Sequence, residues 1–128
     1  MTNAPTPEEF EDIAMQTVAA FPPAFRIPAM MVQIRVEDFI PDDMLEDGED
    51  AWDITGLYTG IPLTLRRDDD IPEGPDTVWL FRQPILEELD ERDGVTLQEL
   101  VAHVTVHEFA HHFGWSDDDI AAIDRWWD

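Results

Sequence analysis

Residues 96–117 read TLQELVAHVTVHEFAHHFGWSD. Thr96 followed by Glu99 is a capping box, in which each side chain satisfies the other residue's free backbone N–H. Leu97, Leu100, Val101 and Val104 then recur at helical spacing and lead directly into His107. Gly114 stands where a helix wants a left-handed residue to end it. The stretch therefore predicts a long capped helix closing at Gly114. Ser116 is placed to cap a second helix, Asp117 to about Trp127, with Asp117, Asp118 and Asp119 in its first turn, where the helix dipole favours anions.

On the first helix His107 and His111 are four residues apart, about 40° around the axis and about 6 Å along it. Both imidazoles can reach one ion from the same side. Neutral imidazole is a good zinc ligand, and Glu108, beside the first histidine, is placed to hold a water on the metal and act as general base. Two ligands hold zinc weakly, so a third is needed. The turn at Gly114 can bring a later residue back over the histidines, and Asp117 is the choice. Asp118 and Asp119 are its rivals, although their ordinary role is helix N-terminal charge. A His₂Asp set with a fourth position open is catalytic in type; it would also accept Co²⁺, Mn²⁺ or Ni²⁺. His112 points about 100° away from His111, which suits a packed or hydrogen-bonding residue. His103, one turn before His107, reads as a neighbour of the site or part of the core.

HEFAHHFGWSD fits the pattern HExxHxxGxxD, and the chain from about Pro28 onward resembles the small bacterial zincin-like metallopeptidases, the minimal zincins. The segments GLYTGIPLTLR, PDTVWLFRQPIL and HEFAHHFGWSDDDI carry the likeness beyond the motif. The resemblance implies an α/β (α+β) fold, with a small mixed sheet of three to four strands beside the motif helix. It also implies one zinc ion held by His107, His111 and Asp117, with Glu108 as base and zinc-bound water as nucleophile in peptide-bond hydrolysis. The rival expectation is a zinc-dependent binding or regulatory module with little or no turnover.

The rest of the chain supplies elements for such a fold. Thr6-Pro7-Glu8-Glu9 is a second capping box, and Phe10, Ile13, Ala14, Val18 and Phe21 give a helix from about Pro7 to Phe21 that Pro22-Pro23 stops. From Met30 the period changes: Met30, Val32, Ile34 and Val36 alternate with Met31, Gln33, Arg35 and Glu37, as in a strand. Asp42 to Asp53 reads as a solvated acidic loop. Ile54 to Leu65 reads as two short strands or one bent one, in which Gly56 and Gly60 permit bulges or close backbone approach and Pro62 belongs at an edge. Thr77 to Phe81, TVWLF, is a buried strand. Pro84 to about Asp90 is a short helix, closed by Asp93-Gly94. Tyr58, the sole tyrosine, is a candidate donor to a developing oxyanion, ahead of Arg82. Gly60, Ile61 and Leu63 are candidate substrate-binding positions along an edge strand.

Length and charge bound the remaining possibilities. With 128 residues the chain is expected to form one domain, residues 1–128, with helices at both ends. Seven Arg and no Lys face thirty acidic side chains, a net charge of −23, which repels phosphate backbones and anionic membranes. Five Trp, seven Phe and 44% hydrophobic residues nevertheless belong to a folding chain. Without cysteine there is neither a disulfide nor a thiolate metal site. No apolar run approaches a membrane span and the start shows no signal peptide, so a cytoplasmic location is expected. The partner expected is a peptide or protein substrate, drawn in faster when cationic.

Overall fold

A computed structural model describes residues 5–60 and 76–114. Helix α1, Pro7–Ala19, begins as expected: Thr6 Oγ1 accepts from the Glu9 N–H at 3.2 Å and Glu9 Oε2 accepts from the Thr6 N–H at 3.1 Å. Its buried face is Phe10, Ala14 and Val18. The helix stops at Ala19 rather than Phe21, because Pro22 and Pro23 offer no N–H to the last carbonyls. The proline pair does more than stop it. Pro23 occupies the first position of a new helix, where a missing N–H is no loss, and α2 runs Pro23–Met30 with Pro28 inside it. Met30 completes this helix and Met31 caps it, so the strand expected from Met30 starts three residues later.

That strand, β1, spans Gln33–Glu37; β2 is Gly56–Thr59 and β3 is Thr77–Phe81. They form a mixed sheet in the order β1-β3-β2. The central strand pairs in parallel with β1 (Ile34 opposite Val78) and antiparallel with β2 (Tyr58 opposite Val78, Gly56 opposite Leu80). The central place of TVWLF explains its continuous apolar run: Val78, Leu80 and Phe81 are fully buried. On one face Arg35 lies over the Trp79 ring at 4.6 Å, and Trp79 Nε1 donates to Thr59 Oγ1 at 3.0 Å. The other face carries Ile34, Val36, Tyr58, Val78 and Leu80 into the core.

The acidic span after β1 is largely exposed, as expected, and contains two single turns of 3₁₀ helix, Asp42–Met44 and Ala51–Asp53. Helix α3, Arg82–Glu91, follows β3 without a loop and is longer at both ends than its sequence pattern suggested. Helix α4, Leu97–Phe113, is the motif helix. It packs against α1, β2 and β3, and together α1 and α4 cover the inner face of the sheet. Phe21 meets Phe109 edge to face at 5.5 Å between ring centroids, so the turn after α1 is anchored to α4. The fold is therefore α+β, a small three-stranded sheet beside the HExxH helix with a helix at the N-terminal end. The expected helix from Asp117 and any strand from Ile61 to Leu65 lie outside the described residues. Among the described residues no helix is long and apolar enough to cross a membrane.

Candidate metal centre

The motif helix is held at both ends by local chemistry. Thr96 Oγ1 accepts from the Glu99 N–H at 3.1 Å and Glu99 Oε1 accepts from the Thr96 N–H at 3.2 Å. At the other end Gly114 is left-handed, φ 66° and ψ 36°, and its N–H donates to the Ala110 carbonyl. A side chain there would resist that conformation, so the chain leaves the helix one turn beyond His111.

Between these ends the helix is packed on several sides. Leu100, Val101, Val104, Val106, Phe109 and Ala110 are buried, and Thr105 disposes of its buried hydroxyl by donating to the Val101 carbonyl at 2.7 Å. Against this apolar body the candidate site residues differ sharply. The Glu108 side chain is 13% exposed and that of His111 67%, with His111 Nδ1 3.5 Å from Glu108 Oε1. His107 is half-buried, with its Nε2 atom out of contact with solvent, and its ring lies 4.2 Å from that of His103. Burial pushes the Glu108 carboxyl up from its ordinary 4.5 to about 7, since an ionised carboxylate loses hydration there.

Strand β2 forms one wall of this site. A Cβ at Gly56 would lie 2.8 Å from Val104 Cγ1, 3.0 Å from Glu108 Cγ and 3.1 Å from the Trp79 carbonyl oxygen. Two residues further on, the Tyr58 hydroxyl and His112 Nδ1 share a hydrogen bond of 2.9 Å. The two contacts fall in step for a geometric reason. Two strand residues advance about 6.7 Å and four helical residues about 6 Å, so residues 56 and 58 match the stripe 104, 108 and 112. His112 is only 3% exposed, and Asp76 Oδ2 lies 3.7 Å from the same Nδ1. Which of the pair donates in the Tyr58–His112 bond depends on the His112 tautomer.

The structure thus brings Glu108 beside His111, and places His107 one turn earlier on the same helix. Tyr58 faces His112, and Gly60, just after β2, lies against Asp76. Arg82 is engaged elsewhere: its Nε donates to the Pro5 carbonyl at 2.6 Å and its guanidinium pairs with Asp38 at 3.1 Å, tying the chain start to the end of β1. Asp117, Ile61 and Leu63 lie outside the described residues. Among the described residues no three acidic or histidine side chains gather as a metal cage. One residue escaped sequence reasoning, and one close approach was read without its partner. Asp76 sits in a turn-rich stretch with no pattern to single it out. The approach of Gly56 to Glu108 was signalled only by a glycine inside a strand.

A sequence model of zincin-like metallopeptidases matches residues 29–127, which include β1 to β3, α3 and the whole motif helix. A search of curated proteins finds no match to this chain. The family's name implies zinc, and His107 and His111, two of the four histidines of α4, are donors of the right kind for it. By a match that spans most of its length, the chain belongs to the zincin-like metallopeptidase family.

Proposed function

We propose that this protein hydrolyses peptide bonds, with one zinc ion held by His107, His111 and Asp117 and with Glu108 as general base. The observation that carries the reading is the Glu108–His111 pair: a carboxylate tucked under the helix surface, 3.5 Å from an imidazole open to solvent. The donor set fits the metal, since neutral imidazoles and a carboxylate are ordinary zinc ligands. When bound, zinc supplies Lewis acidity, polarising a carbonyl and making water acidic enough to attack near neutral pH. Glu108 takes the proton of the attacking water and returns it to the leaving amine. Its side chain is held between the helix and β2, so the carboxylate is oriented before substrate arrives.

The substrate is an extended peptide lying along the edge of the sheet, from β2 into Gly60, Ile61 and Leu63, where main-chain pairing supplies affinity. Among the described residues β2 is the outer strand on the side of α4, which supports this placement. The net charge of −23 favours cationic peptides by raising their encounter rate. Tyr58 is the candidate oxyanion donor, a role in which its hydroxyl accepts from His112 Nδ1 and keeps its own O–H for the substrate.

Glu108→Gln tests the assignment. Zinc content by elemental analysis and turnover across a broad peptide library are measured for both proteins. The proposal expects zinc retained and turnover lost in the variant. Turnover retained by the variant removes Glu108 from the mechanism. Zinc in both proteins with turnover in neither favours a zinc-dependent binding or regulatory module.

A further inference from the structure

We infer that Gly56 is a positioning residue for Glu108: its missing side chain lets β2 close on α4, and the strand then braces the stem of the glutamate. The inference rests on the reading of Glu108 as the base. A methyl group on Gly56 would overlap Val104 Cγ1 at 2.8 Å and crowd Glu108 Cγ at 3.0 Å, with the Trp79 carbonyl behind it at 3.1 Å. Of these neighbours the carbonyl belongs to the central strand and is fixed by its ladder. Val104 is buried in the core. The Glu108 stem is the neighbour with freedom to turn, and its carboxylate carbon is the next atom beyond Cγ. A shift at Cγ is therefore passed on to the group that takes the proton, where a misplacement of about 1 Å costs on the order of a hundredfold in rate.

The three atoms nearest such a methyl belong to Val104, Glu108 and Trp79 rather than to His107 or His111, so the metal ligands should be less disturbed than Glu108. This separates positioning from packing. Val104→Ala loosens the same strand–helix contact but leaves the brace on Glu108 in place. The full-length chain is compared as wild type, Gly56→Ala and Val104→Ala. Measurements are zinc affinity by chelator competition, kcat and KM on a peptide cleaved by the wild type, and the crystal structure of each variant. Gly56→Ala should lower kcat by about tenfold or more, with KM and zinc affinity within about threefold of wild type and the Glu108 side chain displaced. Val104→Ala should lose stability while kcat stays within about threefold. If Gly56→Ala does not fold, Gly56→Ala/Val104→Ala removes the tightest overlap and keeps the methyl against Glu108.

Glu108 in its wild-type position in a folded Gly56 variant overturns the inference, whether or not a substrate is in hand. So does a kcat that falls equally in both single variants. A displaced Glu108 with unchanged kcat leaves the brace standing and instead defeats the reading of Glu108 as the base.

Discussion

Glu108→Gln in the metal-free protein should uncouple stability from pH by a calculable amount. The folded chain holds this carboxyl at about 7 because burial penalises its charge, against an ordinary 4.5 when unfolded. Below about pH 4.5 the group is protonated in both states and has no pH-dependent effect. Between 4.5 and 7 the unfolded chain releases the proton and the folded chain keeps it, so the folded state binds more protons and its stability falls as pH rises. Above 7 both states are ionised and the loss is complete. At about 1.4 kcal/mol per pH unit, the gap amounts to roughly 3 kcal/mol. Little solvent screening reduces it, since the side chain is only 13% exposed. Glutamine keeps the shape and cannot ionise. Urea unfolding followed by tryptophan fluorescence in excess chelator, at pH values from 5 to 8, measures both proteins. The difference between them cancels the other carboxylates. The variant should gain on the wild type by about 2–3 kcal/mol over that range, most of it below pH 7.5. A difference that stays flat, or one in which the wild type gains with pH, would refute the argument that Glu108 is held in a poorly hydrated place.

Asp117→Ala should weaken zinc binding by more than the roughly 10–100-fold that outer partners of a metal are worth, read by chelator competition; unchanged affinity would show that another group is the third ligand. Tyr58→Phe should cost about 1 kcal/mol of unfolding free energy, and His112→Phe about 1–3 kcal/mol because it leaves the Tyr58 hydroxyl facing an apolar ring. Equal stability in all three proteins would mean that this bond contributes nothing. For an Arg- and Lys-rich peptide substrate, kcat/KM should fall as ionic strength rises from low salt to about 0.5 M, while that of a neutral peptide stays level. An identical response from both would remove electrostatic steering from the account.

Much of the fold was legible because local signals agreed with tertiary demand. The two capping boxes, Thr6/Glu9 and Thr96/Glu99, start helices where they were expected, and Gly114 adopts the left-handed conformation its place after the last turn predicts. TVWLF reads as buried because it is the middle strand. The failures have physical causes as well. Pro22-Pro23 signals a break, but proline at a first helical position also starts a helix, and local sequence does not tell the two apart. Met30 extended the alternating pattern of Val32, Ile34 and Val36 by chance, while its backbone belonged to α2. At the site, His107, Glu108 and His111 were legible because their spacing is fixed by one helix. The Tyr58–His112–Asp76 cluster was not, because its members come from three separate stretches and only the tertiary fold brings them together. Gly56 stood between these cases: a glycine inside a strand marks a close approach, without saying what approaches.

The central claim is that His107 and His111 share one metal ion. Elemental analysis of the untagged full-length protein, beside His111→Ala prepared in the same way, tests it most directly. The account predicts about one zinc per chain in the wild type and loss of most of it in the variant. Full zinc in His111→Ala, or a wild type that binds no divalent metal when titrated with zinc, would contradict it.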